Sequence, residues 1–281
     1  MRFQFPRAAV LGLITSVLLV ATVPLARSMA AGTPAGAPPS SPTFLSPQEA
    51  LEHHEFYFTR AVYSSGGGFA GYMRGRRPSW ATDYPKADRQ FMVVLSRLIN
   101  IDNYSEEHAV DLADPNLRRF PFLYALEVGG MHLTDAQVTG LRDYLAAGGF
   151  LIVDDFWRPD EWATWEREIS RVLPGRTMYE LPMDHPVFNG VYDIAEIMQV
   201  PNLSRGWDHG LYGTPTNEGR GSEVPHVFGI DDDDGHTMVI INWNTDLGDA
   251  WEWAEHPYYP LKFSTYAFEM GINMIVYGMS H

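Results

Sequence analysis

The chain has no cysteine among its 281 residues. Disulfides, thiolate metal centres and cysteine nucleophiles are therefore excluded. Positive charge is scarce as well: 20 lysines and arginines face 35 acids, giving a formal net charge of −15. Such a surface repels a phosphate backbone, which excludes nucleic acid as a partner. Several chemistry-bearing patterns are missing too. No H-E-x-x-H, G-x-S-x-G or S-x-x-K occurs, which sets aside the commonest metalloprotease and serine-hydrolase designs. The glycines Gly66 to Gly68 lack the spacing of a nucleotide-phosphate loop. What is present is ample apolar material, 45% hydrophobic residues with 13% aromatics, enough for one sizeable core.

The amino terminus has its own character. Arg2 and Arg7 precede an apolar stretch from Ala8 to Ala26, and Ser28-Met29-Ala30 follows. A positive flank, an apolar run and small residues at −3 and −1 describe a secretory signal cleaved after Ala30. The alternative is an uncleaved anchor, since the run is nearly long enough to span a bilayer. Both readings make the chain exported, periplasmic or extracytoplasmic, with membrane contact only through that segment if it is retained. Residues 31–47, rich in Pro, Gly, Ser and Ala, read as a linker. Residues 48–281 form the expected single folded domain.

Within that domain the central stretch is Gly148-Gly149-Phe150-Leu151-Ile152-Val153-Asp154-Asp155. An apolar run of strand length, opened by glycines and closed by carboxylates, predicts a buried parallel strand that ends at a site. Helical patterns flank it, Thr134 to Ala147 behind a capping box and Asp160 to Val172 beyond. Another helix is expected from Lys86 to Leu98 with Asp83 as its cap. Further strands are expected at 55–63, 110–112, 121–128 and 176–180. A short helix is expected at 46–53, and polar loops at 202–223 and 244–253. Two β-rich runs, Val224 to Ile230 and His236 to Asn242, flank an Asp-Gly turn and read as a hairpin. The helix from Ser264 to Tyr277 closes the domain. The expected fold is α/β: an open, mostly parallel sheet with helices on both faces, a C-terminal β-hairpin and a closing helix.

Ligands of such sheets collect at the carboxyl ends of the strands. Pooling the loops expected there gives Asp83, Asp154, Asp155, His185, Asp246 and Asp249, with Trp157 and Trp251 as walls. Crowded carboxylates share protons, bind a cation or collect hydrogen-bond donors. Three readings follow. A divalent metal held by Asp154 or Asp155 with His185 and one loop Asp could activate water for hydrolysis. Two of the carboxylates could act as acid and base on a saccharide. In the third, the cleft binds an envelope glycan, peptide or protein without catalysis, and this accessory or ligand-binding role is the reading preferred. The Asp231–Asp234 run lacks the alternating spacing of a calcium loop and reads as a solvated turn.

Ordered blocks add a resemblance. Phe56-Tyr57-Phe58-Thr59-Arg60, Trp80-x-Thr82-Asp83-Tyr84-Pro85, Gly148-Gly149-Phe150-Leu151-x-x-Asp154-Asp155 and Asp184-His185-Pro186 recur in order. Asn244-x-Asp246-Leu247-Gly248-Asp249-Ala250-Trp251-Glu252 and Gly271-x-Asn273-x-Ile275-x-Tyr277 follow them. From about residue 54 to the end, the chain resembles the bacterial domain of unknown function DUF4159. That family is similar to class I glutamine amidotransferase-like, flavodoxin-like and ThuA-like α/β folds. The resemblance implies that Asp154-Asp155 stands where amidotransferases carry their nucleophilic cysteine. Thioester glutaminase chemistry is therefore excluded. Some relatives join this domain to membrane-anchored envelope modules, in keeping with export.

Overall fold

The computed structural model describes residues 54, 56–66, 78–99, 101–102 and 106–280. The expected export segment, the linker, the helix at 46–53 and most of the segment that begins at Gly66 lie outside these. Among the described residues, seven strands form one sheet: β1 (Thr59–Val62), β2 (His108–Asp111), β3 (Phe122–Leu126), β4 (Phe150–Asp154), β5 (Tyr179–Glu180), β6 (His226–Asp231) and β7 (Thr237–Trp243). Their order is β2-β1-β3-β4-β7-β6-β5. The first five in that order pair in parallel, and β6 and β5 close the far side antiparallel. The expected hairpin is there, and its second strand lies directly beside the central strand β4.

The described residues form six helices: α1 (Lys86–Leu98), α2 (Asp135–Ala146), α3 (Arg158–Val172), α4 (Leu203–Tyr212), α5 (Leu247–Glu252) and α6 (Leu261–Gly278). Because side chains alternate along a strand, the parallel strands feed two cores. Phe122, Tyr124, Phe150, Ile152 and Ile240 meet α1 and α6 through Phe91, Leu95, Ala267 and Met270. Leu123, Ala125, Leu151, Val153 and Ile241 meet α2 and α3 through Leu141, Leu145, Trp165 and Ile169. Both faces are covered, which is why β4 reads as a continuous apolar run rather than an alternating one.

Local chemistry explains the starts and stops. Thr134 accepts from the Gln137 amide at 3.2 Å, and the Gln137 side chain accepts from the Thr134 amide at 3.2 Å; this is the expected capping box. Gly148 follows α2 at φ +89°, a left-handed turn that sends the chain into β4. Three expectations need correcting. The strand expected over 176–180 keeps only Tyr179 and Glu180. The loop expected over 202–223 contains α4, capped by Asn202, whose side chain accepts from the Arg205 amide at 3.0 Å, and ended by Gly213 at φ +67°. Gly206 and Gly210 within it lower helix propensity and hide its pattern, but Gly206 lies against Tyr259, 2.9 Å from where a Cβ would stand. The polar loop expected over 244–253 likewise contains α5.

Candidate functional site

The carboxyl ends of β1, β3, β4 and β7 converge, and the chain leaves three of them in strained conformations. Glu127 after β3 has φ 54°, Asp155 after β4 has φ 49° and Asn244 after β7 has φ 59°. Asp83, ahead of α1, has φ 59°. Left-handed backbone at non-glycine residues is uncommon, and its clustering at one edge points to a site. The turns brace one another: Glu127 N donates to Asp155 O at 3.0 Å, and Asn244 N donates to Phe156 O at 3.0 Å. The Asn244 side chain then accepts from the Arg158 amide at 2.9 Å.

Asp154 and Asp155 divide the work at the end of β4. Asp154 is fully buried. Its Oδ2 accepts from the Tyr124 hydroxyl at 2.6 Å and from the amides of Leu247 and Gly248 at 2.9 and 3.1 Å. These bonds tie β3, β4 and the first turn of α5 together. Its Oδ1 is buried without a partner. Burial pushes the carboxyl up to about 7, even though the Tyr124 hydroxyl and the amides favour its charged form. Asp155 turns the other way, accepting from Trp157 Nε1 at 3.0 Å. Burial, followed by the charges of Glu127 and Asp83, holds its carboxyl well above the usual range.

Around Asp155 stand the other acids. The α5 loop brings Asp246, whose Oδ1 accepts from the Asp249 amide at 2.7 Å. It also brings Asp249, whose Oδ2 accepts from the Leu203 amide at 2.6 Å and so anchors the start of α4. Asp83 does not cap α1: Pro85 stands at the cap position and no side chain caps that end. Its carboxyl meets Asp249 instead, and burial raises it first, with Asp249 the next cause. One Asp83 oxygen is buried without a partner. Gly248 has no side chain because none fits: a Cβ there would lie 2.8 Å from Asp83 Oδ2 and 3.2 Å from the Tyr124 hydroxyl. Ligand atoms of Asp83, Asp155 and Asp246 all lie within 4.8 Å of one another, as do those of Asp83, Asp249 and Glu252.

Beneath the acids lies Arg60 of β1, fully buried. Its guanidinium pairs with Asp88, donates to the carbonyl of Thr82 at 3.0 Å and packs 4.9 Å from the Tyr124 ring centre. The cation thus pins the Trp80–Thr82 turn that presents Asp83, and its charge partly offsets the burial of that acid.

The structure brings Asp83, Asp154, Asp155, Asp246 and Asp249 together, as the sequence led us to expect. It does not bring His185. That ring lies at the opposite edge, its Nδ1 accepting from the Val187 amide at 3.2 Å and its Nε2 3.2 Å from the hydroxyl of Thr237, the first residue of β7. The reason is a reversal: Leu181 still pairs with Val227, near the carboxyl end, before the chain returns across the sheet. Trp157 and Trp251 are no open walls. They are 3% and 1% exposed, and Trp251 packs 4.5 Å from Phe91 and 5.3 Å from Tyr124. Four contributors were missed. Glu252 was readable as the end of the acidic block. Arg60 and Tyr124 carried no sign beyond a charge and a hydroxyl inside strand patterns. Glu127 was visible as an acid just before Gly129-Gly130.

Comparison with known proteins identifies a family and leaves the chemistry open. No curated protein matches the chain. The family profile of a domain of unknown function, DUF4159, matches residues 69–279, well over half of the sequence and all of the carboxylate cluster. The chain belongs to the DUF4159 family.

Proposed function

We propose that this chain is an exported cell-envelope accessory protein whose carboxylate cluster holds a divalent cation as part of a ligand-binding site. The observation that carries the reading is the pair of acid triads meeting at Asp83, each with ligand atoms within 4.8 Å. Acids this close and this buried repel one another unless they take up protons or a cation. All the donors are carboxylate oxygens, the set preferred by Ca²⁺, Mg²⁺ and Mn²⁺ over zinc or copper. Asp155 and Asp246 are 6% and 3% exposed, depths that suit an ion better than direct contact with a polymer. The signal-like amino terminus supports an extracytoplasmic setting, with a glycan, peptide or protein of the envelope as ligand.

A second reading, metal-assisted hydrolysis, has one observation in its favour. Glu127 is half-buried beside Asp155, and burial together with Glu161 pushes its carboxyl to about 7, where a general base works best at neutral pH.

The test is thermal unfolding of the chain with Ca²⁺, Mg²⁺ or Mn²⁺, alongside Asp155→Asn/Asp246→Asn. At a hundredfold excess over Kd, one ion should stabilise by about 2.7 kcal/mol, roughly 5–10 °C, and the double variant should abolish the gain. An equal gain in the variant, or none with any ion, would remove the proposal. Turnover of an envelope saccharide that is lost in Glu127→Gln would move the second reading ahead.

A further inference from the structure

A groove away from the carboxylate cluster has a chemistry of its own. It runs between residues 193–198 and the first half of α6, with a volume of about 410 Å³, within the range of small-molecule sites. Ile194, Met198, Leu261 and Tyr266 give it apolar walls. Three acids stand on it: Asp193 and Glu196, both exposed, and the half-buried Glu269. None of the three has an ion-pair or hydrogen-bond partner among the described residues.

Among the described residues, the one cation lining the groove is engaged elsewhere. Lys262 places its ammonium 3.0 Å from His209 Nε2 and 4.6 Å from the centre of the Phe263 ring. His209 Nδ1 lies 2.7 Å from the carbonyl of Thr214, which can only accept. Nδ1 therefore carries the proton, and Nε2 offers Lys262 a lone pair. The groove is left apolar within and negative at the rim, on a chain whose net charge is −15.

We propose that this groove binds an aliphatic polyamine, its methylenes against Ile194, Met198 and Tyr266 and its ammonium groups at Asp193, Glu196 and Glu269. An alkyl chain with charged ends matches both halves of that surface, as lysine stems do when they lie along apolar protein. A neutral hydrocarbon would leave the acids uncompensated, and an anion would be repelled. Burial raises the Glu269 carboxyl, so an ammonium beside it gains more than one beside the two exposed acids. The site shares no residue with the carboxylate cluster, and its test is independent of the reading given to that cluster.

The experiment is calorimetric titration of the full chain with spermidine in about 150 mM salt, where diffuse attraction is screened beyond about 8 Å. Saturable one-to-one binding is expected. Glu269→Gln should weaken it at least tenfold, the effect of one charge-assisted hydrogen bond. Ala195→Trp, which fills the groove without altering charge, should weaken it as much. Asp234→Asn, an exposed acid of the distant β6–β7 turn, should leave it unchanged, and so should Asp155→Asn/Asp246→Asn. No saturable binding, or equal weakening by Asp234→Asn, would overturn the proposal, as would binding of a lysine-rich peptide but not of spermidine. Spermidine binding without any response to divalent ions would remove the cation reading and leave this one standing.

Discussion

The two ends of the same parallel strands solve opposite problems. At the amino edge, one carboxylate is met by donors. Asp231 takes the Tyr179 hydroxyl on both oxygens at 2.9 Å and the Thr237 hydroxyl at 2.7 Å. His185 lies 3.2 Å from that hydroxyl, and Tyr277 accepts from the Thr237 amide at 3.0 Å. Each of these groups has a neighbour of complementary kind, and together they form a closed joint. At the carboxyl edge, seven acids from four segments crowd together over one buried arginine. Two of their oxygens are buried without partners, and the backbone is held left-handed. A fold gains nothing in stability from the second arrangement, and the difference between the edges supports the proposed site.

The sharpest way to break the comparison is to remove the cation. Arg60→Met would leave Asp88 buried and unpaired, and breaking a buried pair on one side costs about 3–5 kcal/mol. Urea unfolding should show that loss, and a change below about 1 kcal/mol would deny Arg60 its supporting role.

Next comes pH. Asp154 sits near 7 in the folded chain against about 3.9 unfolded, so the native state binds the extra proton. Stability from this group is fully present below about pH 4 and is lost as pH rises towards 7. In metal-free buffer the slope should approach about 1.4 kcal/mol per pH unit for each such carboxylate, and Asp154→Asn should flatten it. A bound divalent ion favours the charged forms and should reverse the trend. A metal-free chain whose stability rises from pH 5 to 7 would contradict this account of the edge.

The smallest effect belongs to the amino edge. Thr237→Val removes one hydroxyl from the joint and should cost about 1 kcal/mol. Ion-induced stabilisation should be unchanged, and coupling between Thr237→Val and the divalent-ion response would blur the distinction drawn between the edges.

These contrasts also show what the sequence could reveal. The strand Phe150–Asp154, the capping box at Thr134 and the hairpin around Gly235 carry local signals, and all three stand where expected. Asp154 and Asp155 were legible because they close the apolar run of β4, and Asp83, Asp246 and Asp249 because they stand in polar segments expected at the same sheet edge. His185 was not, because its edge depends on a chain reversal that no local pattern encodes. Trp157 and Trp251 looked like walls since aromatic content does not distinguish a stacking platform from a core. Helix α4 was hidden because Gly206 is chosen for its contact with Tyr259 rather than for helicity. Arg60 was hidden because a buried charge reads like an exposed one until its partners are known.

The left-handed residues carry a last consequence. Glycine would adopt those angles without strain, and it would also remove a half-buried acid at Glu127 and a buried one at Asp155. A lineage selected for heat resistance alone would therefore drift towards glycine at both positions, each replacement yielding about 1 kcal/mol. The present chain is one that has not taken that path. The melting-temperature gap between it and its Glu127→Gly/Asp155→Gly descendant would measure how much durability the lineage forgoes to keep its acids in place.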